Sequence, residues 1–264
     1  APWYRSPRFI HVVSGGEYGW RAGSVKWPVD SPDARPAALE MDAGSPTGVA
    51  SGHRSNFPEP WKSRMFLGDW AYGRVLAVDL EADGASHVAT AHLFLQGRPF
   101  NVTDFAFGPD GAMFLTTGGR GSQSGLYRVR WTGPAIIDPV APAKVSSAIL
   151  RRRALEASHR DATAIAREEL FGGLGDADPA IRYAARIGVE RGLLAARYGE
   201  PGAFTESDDD VVEALLELPA DAGGWDAAIA IMRVGDRAEA IGGLGRIQVM
   251  AEDDQTDFGR RQLA

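Results

Sequence analysis

The feature that most constrains this chain is a change of period near residue 141. Before it, apolar residues come in short runs: "RMFLGDW", "GRVLAVDL", "HVATAHLFL", "VTDFAF", "AMFLTT" and "GLYRVRW". Each is about five to eight residues long, and several alternate faces, with Val75, Ala77 and Asp79 set against Leu76, Val78 and Leu80; that is the two-residue period of a strand. Gly, Pro and Asp punctuate the runs in "EADGAS", "QGRP", "GPDGA" and "GGRGSQS", leaving no room for a helix. "GPDG" itself reads as a β-turn centred on Pro109 and Asp110. After the linker-like "DPVAPAK", Pro becomes scarce and Ala, Leu, Arg and Glu dominate.

Helical signals then follow one another. "SSAILRRRALEASHRDA" and "DATAIAREELFGGLG" carry helical composition, the second closed by a glycine. "DADPAIRYAARIGVERGLL" is sharper: Asp178 sits at the N-cap position and Pro179 at the first helical one, with Ile181, Ala184, Ala185 and Gly188 along one face. "DDDVVEALLELPAD" has the same form, with Val211, Val212, Leu215 and Leu216 as its stripe.

Both halves echo themselves. "MFLGDWAYGRVLAV" from Met65 returns 48 residues later as "MFLTTGGRGSQSGLYRV" from Met113. A unit of about 40–50 residues carrying some four strands is what a β-propeller blade requires. In the second half, Arg186-Ile187-Gly188 and Arg233-Val234-Gly235 stand 47 residues apart, the spacing of a HEAT-type pair of helices. The expected fold is therefore β then α: C-terminal propeller blades over residues 1–140, then a HEAT-like α-solenoid over residues 141–264. Two blades do not close a ring, and the chain starts Ala-Pro-Trp and stops at "FGRRQLA". It reads as a fragment of something longer.

Composition removes several functions. The formal net charge of -7 leaves no general basic footprint for nucleic acid. No apolar run reaches the roughly 20 residues of a membrane span. Without cysteine, neither a disulfide nor a Cys-based metal site forms within the chain. His53, His87, His92 and His159 show no HExxH or paired metal spacing, and they read as strand or surface residues. The run Arg151-Arg152-Arg153 spreads over different faces of a helix and reads as solvated.

Three loops carry the candidate binding groups. "HVVSGGEYGWRAGSVKWP", from His11 to Pro28, has neither strand nor helix period. As a propeller loop it offers His11, Glu17, Tyr18, Trp20, Arg21 and Lys26 to a central funnel, or else plugs an inter-blade gap with Trp20 and Trp27. "TTGGRGSQSG" presents free amides with Arg120, Ser122 and Gln123, suited to a carboxylate or phosphate, or is a rim loop that needs glycine. It has no following helix of a P-loop, which argues against a nucleotide. In "GDWAYG", Asp69 either faces a ligand or ties down its own loop.

The segments "HVVSGGEYGWRAGSVKWP", "SPTGVASGHRSNFPEPWKSRMFLGDWAYGRVLAVDL", "FGPDGAMFLTTGGRGSQSGLYRV" and "IRYAARIGVE", in that order, resemble the large exported planctomycete-type proteins called membrane-bound dehydrogenases or PVC-type haem-binding proteins. In those, a six-bladed propeller similar to glucose/sorbosone dehydrogenases precedes HEAT repeats and a cytochrome c module. The likeness covers most of residues 8–190. It implies a periplasmic or secreted protein, associated with a membrane through regions outside this chain. It also implies oxidation of a sugar or polyol, with electrons passed to a cytochrome c domain or protein. The family chemistry uses pyrroloquinoline quinone and calcium; the cationic cofactor ligands fall on Ala71, Asn101 and Thr103, and the catalytic base lies upstream of this chain. Haem requires a module that a chain without cysteine does not contain. His11, Glu17, Arg21, Asp69, Arg120 and Gln123 are the expected binding groups. The alternative is a non-catalytic scaffold for protein or carbohydrate interaction, which the three lost cations favour.

Overall fold

The computed structural model describes residues 6–18, 31–41, 43–119, 121–134, 145–204 and 208–253. Among the described residues nine strands come first: β1 (Arg8–Phe9), β2 (Leu39–Glu40), β3 (Pro46–Ser51), β4 (Met65–Asp69), β5 (Arg74–Asp83), β6 (Ser86–Gln96), β7 (Val102–Phe107), β8 (Met113–Gly119) and β9 (Ser122–Val129). Six helices follow: α1 (Ser147–Glu156), α2 (Arg167–Leu174), α3 (Pro179–Arg197), α4 (Asp208–Leu216), α5 (Gly224–Val234) and α6 (Arg237–Asp253). The change of period near residue 141 thus does separate strands from helices. Compactness divides the chain differently. Among the described residues, one unit gathers those within 1–11, 37–83 and 87–144, and the other those within 12–36, 84–86 and 145–264.

The expected propeller is not what the strands build. Among the described residues they form sheets of two (β1-β2), four (β3-β4-β5-β6) and three strands (β7-β8-β9), and these close no ring or barrel. The 48-residue echo marks two antiparallel hairpins, β4-β5 and β8-β9, whose registers pair Leu67 with Leu76 and Leu115 with Tyr127. A strand, a loop and a returning strand recur in any small antiparallel sheet, so such an echo does not count the strands of a blade.

The core of the strand unit follows from alternation. Phe66, Val75, Ala77, Val102, Phe105, Met113 and Leu115 are buried together. Phe66 meets Phe94 edge-on with ring centroids 4.8 Å apart, and Phe57 meets Phe66 and Phe107 in the same way at 6.0 Å. Such T-shaped contacts match the positive ring edge to the negative face.

In the helical unit α3 is central, with α1, α2 and α5 packed on it. Its start obeys the sequence signal. The Asp178 carboxylate accepts the amides of Ala180 (2.8 Å) and Ile181 (3.3 Å), and Pro179 occupies the first turn. Ile181, Ala184, Ala185, Val189 and Leu193 are buried against Leu170, Leu174, Val211, Leu215 and Ile231. The HEAT-like solenoid expected from the second echo is not supported, because its two copies are not equivalent positions. Gly188 lies inside α3, whereas Gly235 caps the C-terminus of α5. Arg152 also departs from expectation. It is buried, donating through Nε to the Ala85 carbonyl at 2.8 Å and through Nη1 to Glu156.

Candidate functional site

The glycine-rich and tryptophan-containing loops of the strand unit meet at one groove of about 570 Å³, lined by Trp70, Thr103, Thr116 to Gly119 and Ser124 to Leu126. Two bulges shape it. Val102 pairs with Thr117 and Asp104 with Thr116, so Thr103 is an extra residue in β7; a second register shift falls between Thr117 and Gly119. A bulge turns a side chain out of the ladder's alternation. Here Thr103 Oγ1 lies 2.8 Å from Thr116 Oγ1 and 3.1 Å from the Thr116 carbonyl.

Trp70 is held from several directions. Its Nε1 donates to the Gly118 carbonyl at 2.7 Å and its amide to the Ser45 carbonyl at 2.9 Å. Its own carbonyl accepts Asn101 Nδ2 at 2.8 Å, while the Asn101 carbonyl takes the Gly118 amide at 2.9 Å. The indole edge rests on Gly119, where a Cβ would stand 2.6 Å from Cζ2. No larger residue fits there without moving the ring. The result is a fixed aromatic beside hydroxyl groups and bare glycine backbone, and none of the described lining residues is charged.

Asp69 is a support of this groove, not a wall of it. Its carboxylate is fully buried and accepts the amides of Ser45 (2.9 Å), Ala71 (3.1 Å) and Tyr72 (3.4 Å), besides Arg74 Nε at 2.8 Å. Of the two sequence readings for Asp69, the loop tie is the one the geometry has. His11 packs edge-on against His87, with Nδ1 atoms 3.5 Å apart. Gln123 is exposed on β9. Neither lines the groove. Arg21 and Arg120, with Trp20, Lys26 and Trp27, lie outside the described residues.

Glu17 belongs to the helical unit, as do the other described residues between 12 and 36. It forms a one-residue parallel bridge with Ala34, and its carbonyl takes the Arg35 amide at 2.7 Å. The expectation that this stretch is a propeller loop lining a funnel therefore fails together with the propeller. Its turn is tied to helices instead: Tyr183 Oη donates to the Gly15 carbonyl at 2.7 Å, and Arg186 Nη2 meets Asp33 Oδ1 at 2.7 Å.

Arg186 anchors a buried charge cluster that sequence reasoning missed. It is fully buried, with Asp33, Glu190 and Asp226 within 3.9 Å, and Arg233 contacts Asp33 and Glu190. Its Nε and Nη1 atoms make no hydrogen bond to any described residue. Burial raises the Glu190 and Asp226 carboxyls above their usual pKa, and the neighbouring arginines only partly offset it. Only the i, i+4 spacing of Arg186 and Glu190 was visible beforehand; their partners come from distant parts of the chain.

Among the described residues no group of three or more His, Asp or Glu has a metal-holding arrangement, and no helix is long and apolar enough to cross a membrane. Compared with protein-family models, curated proteins and solved structures, the chain matches none.

Proposed function

We propose that the strand unit is a non-catalytic binding module whose groove beside Trp70 takes a neutral, hydroxyl-rich ligand of the carbohydrate class. The observation that carries this is the neutral wall: Trp70, Thr103, Thr116, Thr117 and Ser124 offer an aromatic surface and hydroxyls, without a described charge. Sugars are bound by that pairing, because their C–H faces lie on aromatic rings while hydroxyls exchange hydrogen bonds. The resemblance to exported dehydrogenases adds a location outside the cytoplasm.

Pyrroloquinoline quinone does not fit these residues. The positions that carry its cationic ligands in the resembling family are gathered here, with Ala71 next to Trp70, Asn101 bonded to its carbonyl and Thr103 in the wall. All three are neutral, and a tricarboxylate without cationic partners gives up its strongest contacts. A second reading rests on that same gathering. In an oxidoreductase, this groove would seat the sugar or polyol while the base and the electron acceptor come from regions outside this chain.

Calorimetry of the chain with neutral oligosaccharides of glucose, mannose and galactose tests the proposal. Binding by at least one series is expected, and it should weaken about tenfold in Thr103→Val/Thr116→Val, the scale of one or two lost hydrogen bonds. Heat with none of them, or binding indifferent to the double substitution, rejects the groove. Dye reduction with a bound sugar by a longer protein that joins this chain to a base and an electron acceptor would favour the oxidoreductase reading over the module.

A further inference from the structure

The turn at Ser14 is built more firmly than a linker needs. Gly15 has φ +72°, a conformation glycine adopts without strain, and the Gly16 amide closes the turn on the Val13 carbonyl at 3.1 Å. The Val13 amide donates to Tyr18 Oη at 2.8 Å and the Ser14 amide to Glu156 Oε1 at 3.2 Å. Tyr183 holds the Gly15 carbonyl, and a Cβ at Gly15 would stand 3.3 Å from the Ile187 side chain. The Ser14 side chain is left at the surface.

Its hydroxyl faces a histidine of fixed tautomer. His159 ends the single 3-10 turn Ala157–His159 after α1. That turn closes on α3 because residue 188 is glycine, where a Cβ would stand 2.5 Å from Ser158 Oγ. His159 Nε2 thereby reaches the Ala184 carbonyl at 2.8 Å. A carbonyl only accepts, so Nε2 carries the proton and the neutral ring turns a lone pair outward at Nδ1. Ser14 Oγ stands 2.9 Å from that atom.

We propose that Ser14 and His159 are a nucleophile and its general base, able to take an acyl group from small activated esters, with the Ala184 carbonyl in the orienting role that a carboxylate has in a Ser-His-Asp triad. A nucleophile within hydrogen-bond reach of a base that a third group orients is the common signature of such sites. Ser14 Oγ bonds to the ester carbon as its proton passes to Nδ1. The bond from that carbon to the leaving oxygen then breaks, and the departing alkoxide takes the proton from Nδ1. Water repeats the sequence: its proton goes to Nδ1, its oxygen bonds to the acyl carbon, and the bond to Oγ breaks and returns the proton to Ser14. The net change is ester plus water to acid plus alcohol. Glu156 places Ser14 through its amide, and its negative charge favours the imidazolium formed in passing.

Burial is the main influence on His159 and holds it below the usual imidazole value of 6.5, with Glu156 the charged group that opposes this. The ring is consequently a neutral base at pH 7.

Treatment of the chain with p-nitrophenyl acetate tests the pair. The expected result is a burst of about one equivalent of p-nitrophenol, with the acetyl group mapped to Ser14 by peptide mass spectrometry and absent in Ser14→Ala. His159→Gln should slow acylation about a hundredfold or more, the contribution of a positioned base. The rate in the unsubstituted chain gives a readout that does not depend on how His159→Gln folds. It should rise through a single ionisation below pH 6.5 and then stay level. Acylation that maps elsewhere, that survives Ser14→Ala, or that climbs with hydroxide without a plateau overturns the proposal.

Discussion

Gly188 shows how much one missing methyl group decides. A Cβ at this position would lie 2.5 Å from Ser158 Oγ and 2.6 Å from Leu170 Cδ2, both tighter than contact permits. Gly188→Ala must therefore push the 157–159 turn and α2 from α3, at a cost of about 1–3 kcal/mol for overpacking. Urea unfolding of the variant measures it, and a midpoint equal to that of the unsubstituted chain would mean the turn moves freely. Arg186 is the opposite case, a large cation with no solvent. Arg186→Met leaves buried Glu190 and half-buried Asp33 and Asp226 without their shared cation. The expected loss is about 3–5 kcal/mol, the penalty of breaking a buried pair from one side. The glycine was readable as a helix-face residue; that it admits another turn was not. No local pattern reveals a partner 30 residues away, such as the serine over Gly188.

At the scale of elements, α3 is the one whose sequence announced itself most fully. Asp178 and Pro179 mark its start, and its buried face is the stripe that the 3.6-residue period draws. Asp178 does more than the cap signal promised, since its Oδ2 also takes the Ala85 amide at 2.6 Å. Asp178→Ala should therefore cost about 2 kcal/mol, the upper end of cap removal, because it orphans a third amide. Thermal unfolding is the measurement, and Asp178→Asn should recover part of the loss. The strands were legible from alternation and from their Gly and Asp punctuation. The two bulges that shape the groove were not, since an extra residue in a ladder leaves no mark until the facing strand is known.

Over the whole molecule, the buried carboxylates tie stability to pH. Glu190 has a folded-state pKa raised above 4.5 and Asp226 one raised above 3.8, mainly by burial. Between the ordinary and the raised value the folded chain holds a proton that the unfolded chain has released. Stability therefore falls as pH rises through that window, then stays level with respect to these groups. His159 acts in the opposite sense. Its folded pKa lies below 6.5, so the unfolded chain binds a proton that the folded chain refuses, and stability is lost as pH falls from 6.5. Denaturation midpoints across pH in Glu190→Gln and His159→Gln separate the two: the first should flatten the fall in stability as pH rises from 4.5, the second the loss as pH falls below 6.5. A profile unchanged in both would mean that neither group is as buried as the geometry has it.

By itself the sequence determined where strands give way to helices, which face of each element is apolar, and how α3 begins. These are local matters, set by periods of two and 3.6 residues and by capping groups within a turn of their targets. Only the tertiary structure decided how many strands share a sheet, and that residues 12–18 and 31–36 belong with helices more than a hundred residues later. It alone set Thr103 beside Thr116, Arg186 beside Asp33 and Ser14 beside His159. The reason is physical. Repeats and motifs record what each stretch does with its neighbours along the chain, whereas a site is made by side chains whose distance apart is fixed by the packing of everything between them.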